Sequence, residues 1–371
     1  MERDINNILS HFSIKGDFLD YEKVETGHIN DSYFIKTNAP GCSGYFLQWI
    51  NSYIFKDVKG LMNNISIVVQ HLSAKLAEHP ELAFKILEII PTKSGEKYFL
   101  DAEGQYWRLY TFIDKSHVYD VVENTTIAYE GGKAFGIFMS LLADLPAAGL
   151  TETIPDFHNM EKRLATFYNS MKINTVDRIK DIPAEIDFIQ QRAEKMLSIP
   201  ELIRTGLLPV RITHNDTKFN NILFNSDDQA ICIVDLDTVM PGSILFDFGD
   251  AIRTGANTAS EDEKDLSKVD INLPIYEAYT RGFIASTRHT LTEAEIANLA
   301  FAARFMTFII GLRFLTDFVD GDPYFRTSYP GHNLDRAKVQ FRLLEAMERN
   351  ADKMQEIVFQ SLNSETVQNY K

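Results

Sequence analysis

Cysteine and tryptophan are both scarce in this 371-residue chain, with two of each. Cys42 and Cys232 lie far apart and fit no zinc or redox spacing, which removes a disulfide scaffold and a thiolate metal site and points to a reducing compartment. Positive charge is also in deficit. Thirty-seven Lys and Arg face 52 Asp and Glu, a formal net charge of −15. Such a chain repels nucleic acid and anionic membranes, and no basic run offsets the field. The N-terminus, MERDINNILS, lacks a long apolar run, so a secretion signal is not expected. The most apolar stretch, FAARFMTFIIGLRFL, carries Arg304 and Arg313 and reads as too short and too charged for a membrane span. Internal repeats and low-complexity linkers are absent too. The expectation is a cytoplasmic protein with no nucleic-acid or membrane partner and an oligomeric state left open.

What the chain does have is apolar content, 45% hydrophobic and 12% aromatic, ample for a large core. The first hundred or so residues read as mixed α and β. INDSYFIKT and GYFLQWI alternate like strands, KYFLDAEGQYWRLYTFI reads as a hairpin turning at DAEG, and Asp57 to Ala77 has helical spacing at Val58, Leu61, Met62, Ile65, Val69, Leu72 and Leu76. After YTFIDKSHVYD the composition turns helical. TIAYEGGKAFGIFMSLLADL reads as a long helix that tolerates Gly131, Gly132 and Gly136, and PAEIDFIQQRAEKML as another. Thr292 and Glu295 form a capping-box pattern before an apolar helix from about Ile296 to Phe318. SEDEKD, Ser260 to Asp265, reads as a solvated loop or helix start. The organisation expected is α+β in two lobes, a small β-rich N-lobe over 1–113 and a larger, mainly helical C-lobe over 114–371.

RITHNDTKFNNILFNSDDQAICIVDLD, Arg211 to Asp237, holds two competing chemical signals. From its left end, Asp216 is placed to accept a hydroxyl proton, Asn221 to bind magnesium through its amide oxygen, and Asp235 to supply the main metal contact, a phosphoryl-transfer set. NILF and AICIVD, joined by NSDDQ, read as a hairpin that begins at Asn221 and ends at Asp235. From its right end, Asp235-Leu236-Asp237-Thr238-Val239 matches an aspartyl-nucleophile phosphatase motif. That motif normally opens a domain and is followed by alternating strands and helices. Here helices follow, and the left-hand residues would go unexplained.

At these residues the sequence resembles the aminoglycoside phosphotransferase and choline kinase superfamily, which has a protein-kinase-like fold, and within it the N-acetylhexosamine 1-kinases. The likeness is carried by GHIND at Gly27, INSYIF at Ile50, THNDTKFNNIL at Thr213, DLDTVMPGSILFDFGDAIR at Asp235, EDEKDLSKV at Glu261, RFLTDFVDGDPYF at Arg313 and YPGHNLDRAK at Tyr329. It implies transfer from ATP, with Mg2+, to the anomeric 1-hydroxyl of GlcNAc or GalNAc. Asp216 would be the base, and Asn221 and Asp235 the metal ligands. His28, Asp216, Asp237, Arg313 and Tyr324 would contact the sugar. Gln48, Tyr110, Phe112 and Ile113 would serve the nucleotide, the adenine resting on the connection near Tyr110 to Ile113. Other readings stay open for several of these. His28 also suits a turn, Arg313 an i,i+4 ion pair with Asp317, and Tyr324 core packing. Asp247 suits a brace for the catalytic loop. Gln48 stands where many kinases of this fold carry a phosphate-binding lysine, and Thr254 where the sugar kinase has Phe. A pseudokinase, or a kinase of aminoglycosides, choline, homoserine or another sugar, remains the alternative.

Overall fold

The computed structural model describes residues 4–24 and 30–364, so His28 and Gly27 lie outside the described residues. The chain forms two compact units that do not follow the linear division at residue 113. The first comprises 1–118, 144–155 and 223–241; the second comprises 119–143, 156–222 and 242–371.

The first unit is an antiparallel sheet with a helix. Its strands are β1 (Phe18–Val24), β2 (Asp31–Thr37), β3 (Tyr45–Ile50), β4 (Ile89–Ile90), β5 (Phe99–Leu100) and β6 (Tyr106–Thr111), in the order β1-β2-β3-β6-β4 with β5 also on β6. The expected hairpin at DAEG is the β5–β6 pair, Leu100 facing Tyr106. Alternation buries Ile35, Leu47, Trp107 and Leu109 against Ile5, Leu9 and Phe12. The helix Val58–Glu78 starts at Asp57, whose carboxylate accepts from the Gly60 N–H. Its buried face carries Val68, where the sequence spacing had marked Val69, and the polar Asn64. Asn64 explains why distant segments join this unit. Its amide donates to the carbonyls of Thr151 and Val239 and accepts from the Thr151 N–H, so one buried side chain on the helix fixes both later segments. The Lys85 N–H to the Ile231 carbonyl adds a main-chain tie to the second of them.

The hairpin Ile222–Phe224 with Ala230–Ile233 forms as read, turned by Asn225, whose side chain accepts from the Asp227 and Gln229 N–H groups. Asn221 and Asp235 lie just outside these strands. Asn221 ends a short 3-10 turn, and Asp235 follows Ile233 by two residues.

The second unit is helical around Glu293–Asp320. The Thr292–Glu295 capping box is present. At 28 residues this helix is longer than the stretch read from the sequence, and its length and apolarity would suit a membrane span. Its most apolar window is 89% buried inside the protein. Helices Met160–Ile173, Ile244–Gly255, His332–Arg349 and Ala351–Ser364 pack on it, so it is a core helix on grounds of burial rather than length. The glycines of the Thr125–Leu141 helix are required rather than tolerated. A Cβ on Gly132 would stand 2.1 Å from the Tyr279 carbonyl oxygen, and one on Gly282 would stand 2.0 Å from that of Tyr129. The Thr125–Leu141 and Leu273–Thr287 helices approach backbone to backbone at those points.

SEDEKD is a mostly exposed loop, as read, with two of its side chains tied down. Glu261 pairs with Arg253 at 3.0 Å, and Asp262 meets His332 at 3.2 Å.

Candidate functional site

In the second unit the strand Arg211–Thr213 delivers the chain into His214-Asn215-Asp216. Asn215 turns it with φ +63°, a left-handed conformation that Asn tolerates better than most residues. Asp247, in the first turn of the helix Ile244–Gly255, holds the loop. Its two carboxylate oxygens accept from the His214 and Asn215 N–H groups at 2.7 Å each. Burial pushes the Asp247 carboxyl up to about 7, against those two N–H groups. Thr217 completes the clamp, its hydroxyl on the Asp247 carbonyl and its N–H on Asp250. The loop geometry is thus set by main-chain donors, leaving its acidic side chain for other work.

Asp216 is the side chain so presented, 26% exposed. Burial works to raise its pKa. The Lys218 ammonium, 3.0 Å from Oδ1, outweighs this with help from His214 and Arg253, and holds the carboxyl below the usual carboxylate range. Asn221 donates its amide Nδ2 to the Asp216 carbonyl and to Oδ2, at 2.8 and 3.2 Å. That orientation leaves the Asn221 amide oxygen as the atom for a cation. Lys218 went unmarked in the sequence reading. Its place two residues after the acid is the signal that could have found it.

Arg313 does not form the ion pair offered by Asp317 one turn on. Asp317 accepts instead from the N–H groups of Tyr324 and Phe325 and from Asn333. The Arg313 guanidinium lies 4.9, 5.8 and 5.4 Å from the ring centroids of Phe157, Tyr324 and Phe325. Tyr324 is 56% exposed, which sets aside its reading as core packing. Thr254 bonds back to the Asp250 carbonyl within its helix.

In the first unit the charged group is closed. Arg108 and Asp237, both buried, form an ion pair 129 residues apart in sequence. Arg108 also donates Nε and Nη2 to the Gln48 side-chain oxygen at 3.0 and 2.9 Å, directly across the β3–β6 register. Gln48 donates in turn to Ser32 Oγ, and Asn30 donates to Asp237 Oδ2 at 2.6 Å. Burial opposes the Arg108 charge, but Asp237 outweighs it and raises the pKa. Arg108 was invisible to motif reading, because its partner is set only by the fold. Asp237 and Gln48, expected at substrate and nucleotide, have their polar atoms engaged with it.

Tyr110 is buried under Arg108, and burial pushes its phenol up. The Phe112 N–H donates to the Gly44 carbonyl, and the Ile113 carbonyl accepts from Ser116. Asp235 is an exposed carboxylate held at φ +58° beyond the strand Ala230–Ile233. No cluster of three or more His, Cys, Asp or Glu able to hold a metal occurs among the described residues. The Asn221 amide oxygen in the second unit and the Asp235 carboxylate in the first are each hard oxygen donors of the kind that magnesium takes.

Solved structures resemble the chain along nearly its whole length. An aminoglycoside phosphotransferase from Alicyclobacillus acidocaldarius superposes with TM-score 0.59 at 12% identity, covering 98% of each chain. A choline kinase from Cryptosporidium parvum gives 0.59 at 14%, covering 97% of this chain and 98% of its own. A microcompartment-associated aminopropanol kinase gives 0.58 at 12%, covering 94% and 97%. At such identities the likeness speaks for the α+β, kinase-like fold alone. The phosphotransferase enzyme family itself matches residues 20–274, more than half of the sequence, and the chain belongs to that family.

Proposed function

We propose that the protein transfers the γ-phosphoryl group of ATP to the anomeric 1-hydroxyl of an N-acetylhexosamine, GlcNAc or GalNAc, in the cytoplasm. The observation that carries the kinase chemistry is Asp216, ionised, partly exposed and held through Asn221 on a loop braced by Asp247. The sugar is supported by the stretches around Glu261, Arg313 and Tyr329. In the second unit these become a tied assembly through Arg253–Glu261, Asp262–His332 and Asp317–Asn333.

In this reading the sugar oxygen forms a bond to Pγ while the bond from Pγ to the β-bridging oxygen breaks. ADP leaves, and the hydroxyl proton passes to Asp216 and then to solvent. Asp216 is a weak base at neutral pH, so its main service is to orient the hydroxyl, which suits a loose transition state. Asn221 and Asp235 would hold magnesium, which when bound neutralises charge on the phosphates. With no lysine at Gln48, that neutralisation rests more on the metal. The phosphatase reading falls with the family, and among the described residues no alternating strands and helices follow Asp235.

Choline and aminopropanol kinases share the fold, so an amino-alcohol acceptor is the second reading. Phosphorus NMR of the protein with ATP, magnesium and GlcNAc or GalNAc, with choline and kanamycin alongside, separates them. A sugar 1-phosphate signal appearing with ADP, and lost on chelation, is expected. Transfer to choline or kanamycin alone would overturn the sugar assignment and keep the kinase.

A further inference from the structure

Arg313 and Arg163 share one aromatic residue. The Phe157 ring lies 4.9 Å from the Arg313 guanidinium, and the Phe157 carbonyl accepts from Arg163 Nε and Nη2 at 3.4 and 3.1 Å. Neither arginine has a carboxylate at ion-pair distance among the described residues. The other cations of the second unit's loop region are answered: Lys218 by Asp216, and Arg253 by Asp250 and Glu261. Burial, then the Arg163 charge, brings Arg313 down to about 10, so it stays protonated at neutral pH.

His158 ties this pair to the catalytic loop. Its Nε2–H lies 3.4 Å from the Asn215 carbonyl, one residue before Asp216, and its Nδ1 is buried without a partner. Burial, reinforced by the charges of Arg313 and Arg163, holds the imidazole down at about 3, so it is neutral and adds no counter-charge. Beside the loop there is therefore a positive locus with aromatic walls and spare N–H donors, on a protein whose net charge is −15.

We infer that Arg163 and Arg313 together select the acceptor by charge, admitting hydroxyl compounds without an ammonium group and rejecting cationic amines, with Arg163 a specificity-determining residue. An ammonium brought near two guanidiniums that lack a paired carboxylate is repelled, and the rings of Phe157, Tyr324 and Phe325 cannot compensate because Arg313 already faces them. A sugar hydroxyl, an amide carbonyl or a carboxylate instead accepts from the spare N–H groups. This rests on the proposed function only in taking the Asp216 side as the acceptor site. It separates this protein from fold relatives named for choline and aminopropanol.

The test is a matched pair, glucose and glucosamine, at about pH 6.5, where the amine is an ammonium. Ligand-observed NMR gives the two Kd values without needing turnover, and transfer from ATP to GlcNAc and choline is measured on the same samples. Wild-type protein is expected to bind glucose about tenfold or more tightly than glucosamine. Arg163→Gln should shrink that ratio roughly threefold to tenfold, Arg163→Lys should restore it, and all three proteins should melt together. Equal binding of the two sugars by wild type, better transfer to choline than to a neutral acceptor, or equal loss of discrimination in both variants would overturn the inference. Discrimination that follows charge while a neutral acceptor other than GlcNAc is phosphorylated would remove the N-acetylhexosamine reading and keep the charge rule. Transfer to GlcNAc without discrimination would do the reverse.

Discussion

Arg108 and Arg313 are both guanidiniums drawn away from water, one in each unit, and their surroundings differ in kind. Arg108 meets a carboxylate and an amide oxygen, and those partners are themselves bonded to Asn30 and Ser32. Arg313 meets three rings and a second cation, with no anion paired to it among the described residues. A closed network of this kind specifies a local structure, and breaking one member strands another without solvent. A half-buried cation left without an anion contributes little to stability and keeps its hydrogen-bonding capacity for something that arrives later. The contrast separates a buried arginine closed into the scaffold from a half-buried one that keeps donors to spare, as the proposed recognition role requires.

The contrast can be broken in several ways. The largest effect is expected at the loop itself. Asp216→Asn should lower kcat by roughly 10²- to 10⁴-fold, with the melting temperature unchanged, because the loop is braced by Asp247 and not by the Asp216 carboxylate. Retention of near-normal turnover would take Asp216 out of the chemistry. Next, Arg108→Met should destabilise the protein by about 3–5 kcal/mol in urea unfolding, leaving Asp237 buried and unpaired. Arg108→Met with Asp237→Leu should regain most of that loss. A single variant as stable as wild type would show that the first unit's network is not closed after all.

A smaller effect is expected from His158, and only in acid. Its folded pKa of about 3 lies below the ordinary value of 6.5. The stability it contributes is therefore complete above about pH 6.5 and is lost as pH falls towards 3, with a slope of up to about 1.4 kcal/mol per pH unit. Denaturant unfolding of His158→Phe over that range should show a flatter acid limb than wild type, and parallel limbs would contradict the neutral buried imidazole. Asp247 works with the opposite sign. Its pKa is raised, so its contribution is greatest in acid and fades as pH rises through about 7. The smallest change in stability is expected at the recognition residue. Arg313→Met should leave unfolding within about 1 kcal/mol of wild type while acceptor affinity falls. A loss of several kcal/mol would place Arg313 in the scaffold with Arg108.

Much of this arrangement is written locally. The run from His214 to Asn221 carries a phosphoryl-transfer expectation because that chemistry needs an acid and an amide at short spacing. The β5–β6 hairpin, the Asn225 turn and the Thr292–Glu295 cap could be read because turns and caps are made by residues within a few positions. Features whose partners lie far along the chain left no such trace. Asn64, spaced for the buried face but polar, makes sense only once Thr151 and Val239 arrive beside it. Gly132 reads as merely tolerated in sequence and is obligatory in the packed helices.

The sequence by itself determined the elements, the chemical signal at Asp216, Asn221 and Asp235, and the family, since those depend on residue type and short-range order. Only the tertiary structure decided which arginine is paired and which is left open. Arg108 and Asp237 are 129 residues apart. Asp317, one helical turn from Arg313 and its natural ion-pair partner, is drawn instead to the backbone of Tyr324 and Phe325. A carboxylate buried beside two unsatisfied N–H groups gains more from them than from a guanidinium that aromatic rings can hold, and that preference is expressed only when the chain folds back at Gly321.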